Sequence, residues 1–597
     1  MVKPLMHDPN APMLERYQET LELLPAHLRA FVAEQDYSIY TAKDHAVWRF
    51  LLHGLALNLS KSAHPVYAQG MKKAGISKHY IPRIEEINYA LADMDWRAVT
   101  VDGFLPPAVF MEFQALKILP IAVDMRSGDH MLYTPAPDIV HESAGHAPFI
   151  ADVDYAEFLQ RFGELGMRAI ASKQDMDVYQ AVRRLSVIKQ RSESTAAEIK
   201  AAEQAVEKAQ AANTELSEAA LLARLHWWTV EYGLVGSVDD YAIFGAGLLS
   251  SMGESTNCLD DKKVVKHILT VDAIEQDYDI TTEQPLLYVT QSCRHLTQVL
   301  EEFGRQMCVS VGGAKSLRTA IYAQTVTTAQ LNSGLQVSGV FTDMICDAVD
   351  NPIFIKTTGP TQLSFAGSEL PSQGVDNHPH GFSTPVGRLL DMERCLSEYT
   401  IDELYKHNIR IGERVVLRFL SGIVVDGQLL KVTRRAQRNL IFTFDKCSMH
   451  DQHGELLYDP EWGTFDMAVG DSIPSVFGGA AELSKYGAES VFGSHIAADA
   501  QPNTIDPELA DYYQKIRELR ESKNTYPSDE LKTLAQDIHS RFPEEWLLFY
   551  ELLELDPTLS VAAEVLATSE SKAESNKDSQ TLALLSQARS NLAMSGK

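Results

Sequence analysis

The chain has 597 residues, too many for one ordinary domain, and this length predicts about two to four domains. Its 81 acidic and 53 basic residues give a formal net charge of -28. A field of that sign repels phosphate backbones and anionic membranes. We therefore expect neither nucleic acid nor a membrane among its partners.

Cysteine usage and the N-terminus point to one cellular compartment. The six cysteines are scattered and form no CxxC pair, which argues against a zinc ribbon and against a secreted disulfide scaffold. The N-terminus, MVKPLMHDPNAPMLERYQ, has no apolar segment of the signal-peptide type. The sequence contains no long apolar run of the kind that spans a membrane. We expect a cytoplasmic protein.

The first half of the chain has mainly helical patterns. Residues 1–30 predict a leader with one short helix, and residues 31–310 predict a mainly α domain. In TAKDHAVWRFLLHGLAL apolar residues recur at helical spacing after a threonine that can cap the helix. A stretch over about 172–220 is rich in Ala, Glu and Lys, which indicates an exposed helix or helical hairpin inserted into the domain. We interpret it as a surface spacer, with a partner-binding coiled coil as the alternative.

The second half begins with a change in periodicity. Stretches such as RVVLRFLSGIVVDGQLLKVT and NLIFTFDK are β-branched and interrupted by Gly or Asp-Gly, as is typical of strands and hairpins. We therefore expect a β-rich domain of unknown role over residues 311–500 and a helical C-terminal region over 501–597. Within DNHPHGFSTP, His378 and His380 offer a second metal site, but we interpret this stretch as a solvated loop.

The stretch DIVHESAGHAPF holds His141 and His146, with Glu142 between them. This is not the HExxH pattern of zinc proteases, whose histidines are four apart and share one helix face. Side chains five apart do not share a face of an ideal α-helix, so the pair needs a helix end or a local distortion to bind one metal. We expect Gly145 to relax the backbone and Asp138 to cap a helix.

A carboxylate would complete a metal site around this pair. Two imidazoles and one carboxylate on one face of an ion form the facial triad of non-haem iron(II) oxygenases. Glu231, in the aromatic segment HWWTVEYGLVG, is the strongest candidate. A buried ionised glutamate must be paired or metal-bound, because leaving it alone costs several kcal/mol. The alternative is a salt-bridged glutamate in the core.

Several motifs in the first half follow one another in a specific order. They are YTAKDHAVWR, KAGI followed by IPRIEEIN, WRAV before GFLPPAVF, MRSGDHMLYTPAPD, HESAGH, WTVEYGL, FGAGLLSSMGE and QPLLYVTQS. Separated motifs in a fixed order are more specific than any one of them. From about Tyr40 to Phe303 the chain resembles the pterin-dependent aromatic amino acid hydroxylases, the family of phenylalanine, tyrosine and tryptophan hydroxylases. The resemblance implies that family's catalytic fold for residues 31–310.

The resemblance also implies two cofactors and a set of site residues. Fe(II) would be held by His141, His146 and Glu231, beside a tetrahydropterin, either tetrahydrobiopterin or a related one. The residues implied to contact pterin are Phe110 and, through water, Glu142. The residues implied to bind substrate are Arg126 at its carboxylate, Thr134, Trp227 along the ring, and Ser250, which also supports His141. Glu142 and Ser250 are the expected catalytic residues.

The implied reaction is hydroxylation of L-phenylalanine to L-tyrosine with O2. Phenylalanine is favoured because the plain microbial members of the family usually use it. Tryptophan or tyrosine hydroxylation is the alternative, since members share their ligand motifs and apolar pockets discriminate size only modestly. Pro120 and Tyr232 lie at or near pocket positions. A non-catalytic regulatory protein on this fold is a further alternative, which the three intact ligand positions oppose. A zinc hydrolase is disfavoured by the histidine spacing.

The chain departs from the family pattern in three ways. The gap between His146 and Glu231 is about twice the usual spacing, and the Ala/Glu/Lys-rich stretch accounts for the excess, at little cost to stability. We see no N-terminal regulatory domain of the animal type. A long region follows the catalytic match, and the short C-terminal tetramerisation helix of the animal enzymes has no counterpart in it. A homo-oligomer is compatible with the sequence, which leaves the oligomeric state open.

Overall fold

The computed structural model describes residues 13–102, 105–132, 137–190, 195–280, 282–492, 505–522 and 528–595. These parts of the chain contain both helix and sheet, gathered around more than one hydrophobic cluster. The expectation of both helical and β-rich parts in one chain is confirmed. No helix in the described ranges is both long and apolar enough to cross a membrane.

Helices dominate the first part of the chain. They are α1 (Met13–Leu23), α2 (Ala26–Arg29), α3 (Ala42–Asn58), α4 (Val66–Lys73), α5 (Ile84–Ala92), α6 (Pro107–Ala115), α7 (Val153–Gly166), α8 (Lys173–Gln190), α9 (Ala196–Ala212), α10 (Glu218–His226), α11 (Ala246–Ser250), α12 (Met252–Asn257), α13 (Cys293–Gly304), α14 (Cys308–Val311) and α15 (Gly313–Ala323). Two π-helical segments interrupt this series, π1 (His141–His146) and π2 (Trp227–Glu231). Short 3-10 turns lie at Tyr37–Ile39, Gly128–His130, Ala147–Ala151 and Val271–Glu275.

Two small sheets accompany these helices. Their strands are β1 (Arg97–Val101), β2 (Ile118–Ala122), β3 (Gly233–Ser237), β4 (Asp240–Ile243), β5 (Val265–Ile268) and β6 (Leu286–Thr290). Strands β1 and β2 pair in parallel, and every residue of both is buried. This explains why their sequences, RAVTV and ILPIA, show no regular alternation of polar and apolar residues. The other four strands form a sheet in the order β4-β3-β6-β5.

The β-rich part follows α15. Its strands are β7 (Val326–Gln330), β8 (Leu335–Cys346), β9 (Pro352–Phe365), β10 (Ser368–Glu369), β11 (Ser383–Pro385), β12 (Arg414–Arg418), β13 (Val424–Arg435), β14 (Arg438–His450), β15 (Leu456–Tyr458), β16 (Phe465–Ala468) and β17 (Ser475–Gly478). One antiparallel sheet has the order β10-β9-β8-β7-β17, with β11 on β9, and a second has the order β12-β13-β14-β15, with β16 on β14. The short helices of this part are α16 (Ile401–Lys406), α17 (Leu483–Tyr486) and α18 (Ala488–Phe492), with 3-10 turns at Leu396–Glu398 and Pro460–Trp462.

The C-terminal part is helical and packs back onto the first part. It consists of α19 (Pro507–Glu521), α20 (Ser528–Arg541), α21 (Trp546–Leu555), α22 (Ser560–Asn576) and α23 (Ser579–Ser595). Its buried side chains, such as Leu548 and Leu585, belong to the same hydrophobic cluster as those of α3. The expected leader is also part of this core from Met13 onward, because Tyr17, Leu24 and Leu28 are buried in it.

Helix α3 explains how the two parts fit together. Thr41 and Asp44 form the capping box that begins the helix, as the sequence indicated for its threonine. Almost every side chain from Ala42 to Leu55 is buried. A helix whose side chains are buried on all sides must be covered on all sides. Helices α19, α21 and α23 provide part of that cover, so α3 is a central rather than a peripheral element.

Two further stretches can be compared with the expectations. Helices α8 and α9 pack against each other within the Ala/Glu/Lys-rich stretch, and a side-chain hydrogen bond of 2.9 Å joins Asn213 to Asp175. His378 and His380 do not come together as a metal site: the former bonds Gln373 at 2.8 Å, and the latter is exposed. All six cysteines are free.

Candidate metal centre and active-site pocket

The two histidines of HESAGH lie at the ends of π1. On an α-helix, residues five apart point about 140° away from each other. A π-helix has more residues per turn, and such segments are frequent at functional sites. In π1 both Nε2 atoms point to one place, 3.1 Å apart. The local distortion that the spacing required is therefore a π-helical turn. Asp138 caps it, because its Oδ1 accepts the N–H of His141 at 3.0 Å.

Glu231 supplies a third group at the same place. It is the last residue of π2, and its two carboxylate oxygens lie 3.3 Å from Nε2 of His141 and 3.3 Å from Nε2 of His146. Ligand atoms that bind one metal at about 2.1 Å and at right angles are about 3 Å apart. The three side chains would therefore fit one face of a six-coordinate metal ion, and all three line the pocket.

Ser250 orients the first imidazole. Its Oγ lies 3.0 Å from Nδ1 of His141 and donates its proton to the carbonyl oxygen of Ala246 at 2.7 Å. Because a hydroxyl has one proton to donate, Ser250 must accept from His141, whose Nδ1 then carries the hydrogen. This leaves the lone pair of Nε2 directed at the metal position. A partner of this kind orients a metal-bound histidine and tunes its basicity.

Gly145 has a different role from the one expected. Its φ is not positive, so it does not relax the backbone of π1. A Cβ at this position would lie 2.6 Å from the carbonyl oxygen and 3.0 Å from the Cβ of Ala246. Glycine therefore lets α11 approach π1 closely. That approach is what brings Ser250 within reach of His141.

The pKa values of the two glutamates next to the metal position are shifted in opposite directions. Burial alone would raise the pKa of Glu231, but the imidazoles of His146 and His141 hold it well below its usual range. Burial raises the pKa of Glu142 to about 8, and His146 only partly offsets this. Glu142 lies 3.9 Å from Nε2 of His146, farther than Glu231 does. These distances favour Glu231 as the ligand and leave Glu142 facing the pocket.

Arg126 is buried at the pocket wall. Its Nε and Nη2 donate to the two oxygens of Asp138 at 2.7 Å each, and its Nη1 donates to the carbonyl oxygen of Ser250 at 3.3 Å. Burial opposes the charge on Asp138, but Arg126 holds the pKa of that carboxyl below its usual value. Within the described residues, three of the five N–H donors of the guanidinium are thus engaged. The sequence did not identify Asp138 as the residue that holds Arg126 in place.

Aromatic side chains form much of the remaining wall. Trp227 stacks on Tyr278 with ring centroids 4.4 Å apart and lies 4.6 Å from the ring of Tyr232. Phe110 lies edge-on to the ring of His226 at 5.9 Å. His226, which the sequence analysis missed, has Nδ1 3.7 Å from Glu231, and burial lowers its pKa to about 4. Its place directly before Trp227, in an aromatic segment, was the available signal.

These groups enclose a cavity of about 380 Å³. Of the residues that the sequence analysis singled out, the cavity is lined by Phe110, Pro120, Arg126, His141, Glu142, His146, Trp227, Glu231, Tyr232 and Ser250. Thr134 lies outside the described residues. Tyr278 and Glu254 also line the cavity, and nothing in their local sequence marked them individually.

Fold and site together define a protein whose mainly helical first part brings two imidazoles and one carboxylate together at an aromatic pocket. The family model of biopterin-dependent aromatic amino acid hydroxylases matches residues 33–198 and 201–337, just over half of the chain. The chain belongs to this family. The family indicated by the sequence motifs is thereby confirmed, and so is the expectation of a tetrahydropterin cofactor.

Individual relatives are similar over the same part of the chain. The phenylalanine-4-hydroxylase of Pseudomonas aeruginosa is 28% identical over 264 residues, which are 44% of this chain and 84% of that protein. The phenylalanine-4-hydroxylase of Dictyostelium discoideum is 30% identical over 256 residues, 43% of this chain and 47% of that protein. A crystal structure of Chromobacterium violaceum phenylalanine hydroxylase with bound iron(III) and 7,8-dihydrobiopterin is 24% identical, covers 46% of this chain and 86% of that one, and has a TM-score of 0.37.

Proposed function

We propose that this protein hydroxylates L-phenylalanine to L-tyrosine with O2 and a tetrahydropterin, at an Fe(II) ion held by His141, His146 and Glu231. The observation that carries the proposal is the convergence of three side chains: the two Nε2 atoms lie 3.1 Å apart, and each lies 3.3 Å from one carboxylate oxygen of Glu231. When bound, the iron and the pterin would supply the activation of O2 that no amino acid side chain provides.

The surrounding side chains have roles that follow from their contacts. Ser250 would hold His141 in the tautomer that presents Nε2 to the metal. Arg126, held by Asp138, would bind the substrate carboxylate through its remaining N–H donors. Trp227 would line the substrate ring. On the pterin side we assign Phe110 to ring stacking and Glu142 to a contact through water, since both line the pocket.

The choice of phenylalanine rests on the relatives. The similar proteins from Pseudomonas aeruginosa, Ralstonia nicotianae and Chromobacterium violaceum are each named phenylalanine-4-hydroxylase, and each is matched over more than two thirds of its length. Their identity to this chain is 26–28%, a level at which pocket residues can differ. Phenylalanine is accordingly the first substrate to offer, beside tyrosine and tryptophan.

The test is reconstitution of the full-length protein with Fe(II), a tetrahydropterin and O2, with each of the three amino acids offered separately. We expect tyrosine from phenylalanine. His141→Ala should lose bound iron and lower product formation to below about a hundredth, because even residues behind a ligand are worth up to a hundredfold. His380→Ala, an exposed histidine of the β-rich part, is the matched control and should change neither quantity.

Other outcomes have definite meanings. Hydroxytryptophan or dopa as the main product would keep the reaction and change the substrate. Bound iron at one per chain with no product from any amino acid would contradict the proposal and favour a non-catalytic role for this fold.

A further inference from the structure

Four residues are linked in a closed set of contacts at one wall of the pocket. Tyr232 donates its hydroxyl proton to Oε2 of Glu254 at 3.0 Å. The main-chain N–H of Gln284 donates to Oε1 of the same carboxyl at 3.3 Å, and the side-chain oxygen of Gln284 accepts from Nε1 of Trp227 at 3.2 Å. The rings of Trp227 and Tyr232, 4.6 Å apart, close the set. We call these four residues the Glu254 ring.

Glu254 is the centre of this arrangement. It lies in the first turn of α12, is 3% exposed, and uses both carboxyl oxygens as acceptors for the other members. A buried carboxyl is costly unless it is hydrogen-bonded, so its two donors are held firmly. Those donors belong to Tyr232 and to the residue that bonds Trp227. One carboxyl group thus holds the hydroxyl of Tyr232 directly and the backbone of Gln284, whose side chain bonds Trp227.

The Glu254 ring is part of the pocket and not only of the surrounding core. Trp227, Tyr232 and Glu254 all line the cavity. Trp227 and Tyr232 are also the neighbours of the metal-binding segment in sequence, the first at the start of π2 and the second directly after Glu231. A shift of either ring would change the shape of the space next to the metal position. The hydrogen bonds thus connect the shape of that wall to α12.

We propose that Glu254 is a positioning residue that fixes Tyr232 and Trp227 as the wall of the substrate-ring subsite and thereby sets which aromatic amino acid the enzyme prefers. The inference rests on the proposed hydroxylase function. Apolar pockets discriminate between rings only modestly, so a small displacement of such a wall is enough to alter the preference. Glu254 acts through the two aromatic side chains, because its own oxygens are already engaged.

The test compares two conservative substitutions in the full-length enzyme. Tyr232→Phe removes the hydroxyl and keeps the ring. Glu254→Gln keeps an oxygen acceptor and should have the smaller effect. For Tyr232→Phe we expect the KM for the preferred amino acid to rise about threefold to tenfold, the range for loss of one buried hydrogen bond. The KM for the pterin and the iron content should stay unchanged. The ratio of kcat/KM among phenylalanine, tyrosine and tryptophan should change.

Matched controls and a double variant separate positioning from general damage. Tyr241→Phe and Glu301→Gln make the same chemical changes away from the cavity and should leave every constant unchanged. If Tyr232 and Glu254 act through one hydrogen bond, the double variant should be no worse than Tyr232→Phe alone, because effects at coupled sites are not additive.

Three results would overturn the inference. The first is an unaltered preference among the three amino acids in both single variants. The second is a parallel rise in the KM for amino acid and for pterin, which would mean that the whole pocket is loosened. The third is full additivity in the double variant. If the wild-type enzyme forms no product at all, the proposed function fails and this inference fails with it. An active wild type whose variants keep the same substrate preference would overturn this inference alone.

Discussion

Two regions follow the first, mainly helical part of the chain, and they are built onto it in different ways. Helices α19–α23 share one continuous hydrophobic cluster with it: Leu548 and Leu585 belong to the same core as Phe50 and Leu51. The β-rich region has two clusters of its own, and the first part contributes to one of them through Ile170 and through buried residues of α14 and α15, Cys308, Leu317, Ala320 and Ala323. The region that is farthest away in sequence is therefore the one that completes the core of the first part.

The polar contacts differ in the same sense. Two contacts that join the β-rich region to the first part use main-chain oxygens: the N–H of Gly478 donates to Arg168 at 2.8 Å, and the hydroxyl of Thr325 donates to Ala171 at 2.7 Å. A third is exposed, between Nδ1 of His27 and Oγ of Ser484 at 2.8 Å. The C-terminal helices are joined through a buried ion pair, Arg49 with Glu551, whose side chains are 3% and 1% exposed. We infer that the C-terminal helices stabilise the domain that carries the metal site, whereas the β-rich region folds around its own cores.

The largest expected effect comes from breaking that ion pair. In Glu551→Ala, the guanidinium of Arg49 is left buried without its partner. Removing one member of a buried pair costs about 3–5 kcal/mol, because the remaining charge is uncompensated. We expect the free energy of unfolding, measured by urea denaturation, to fall by this amount, and a fall of less than about 1 kcal/mol would contradict the inferred role of the pair.

The matched control is an exposed pair in the β-rich region. Arg414 and Asp426 bond at 2.8 Å with side chains 72% and 30% exposed. Water screens such pairs, so Asp426→Ala should change the free energy of unfolding by about 0–1 kcal/mol. Equal losses in Glu551→Ala and Asp426→Ala would remove the distinction between the two regions.

A second comparison uses buried leucines. Leu548 in α21 and Leu363 in β9 are both fully buried, one in the shared core and one in a core of the β-rich region. Each change to alanine should cost about 2–5 kcal/mol in the region concerned. Tryptophan fluorescence can tell the regions apart, because the only tryptophan of the β-rich region, Trp462, is exposed and the others lie in the shared core or against it: Trp48, Trp96, Trp227, Trp228 and Trp546.

We therefore expect Leu548→Ala to lower the temperature of the unfolding transition that fluorescence detects. The variant should also lose bound iron at a lower temperature. Leu363→Ala should leave the unfolding temperature seen by fluorescence unchanged. It should lower the temperature at which the β-sheet signal is lost in circular dichroism. If the two variants shift fluorescence equally, the regions unfold as one cooperative unit and the comparison fails.

Much of the metal site could be predicted from the sequence, because its residues stand in motifs whose order identifies the family. The spacing of His141 and His146 also indicated that a regular α-helix would not serve. The kind of distortion could not be predicted, and neither could the close approach of α11 to Gly145, which involves residues about a hundred positions apart in sequence. Asp138 was expected to cap the helix, but its pairing with Arg126 depends on the tertiary fold.

The arrangement of the C-terminal half was less accessible. The helical spacing of apolar residues in α3 predicted this helix and its threonine cap. It did not show what would cover it, because the partners of Arg49 and Phe50 lie about five hundred residues away along the chain. The β-branched stretches in β13 and β14 predicted strands correctly, but pairing between distant strands is not encoded in any one of them.

The smallest expected effect concerns pH and tests whether the C-terminal helices act on α3 electrostatically. His45 is buried in α3, next to the ring of Tyr37, and accepts the N–H of Ile81 at 3.2 Å. Burial lowers its pKa from 6.5 to about 3, and the positive charges of Arg517, in α19, and of Arg49 act in the same direction.

In the unfolded chain this histidine is protonated below about pH 6.5, whereas in the folded chain it stays neutral down to about pH 3. The free energy of unfolding therefore has its full contribution from His45 above pH 6.5. That contribution is lost as the pH falls from 6.5 toward 3, by roughly 2 kcal/mol between pH 7 and pH 5. In His45→Gln, which keeps an acceptor for Ile81, this part of the pH dependence should disappear from urea unfolding curves. His453→Gln, at an exposed site of the β-rich region, should leave it intact. Arg517→Gln should slightly raise the pKa of His45 in the folded chain. No change in this pKa would mean that α19 covers α3 without acting electrostatically on His45.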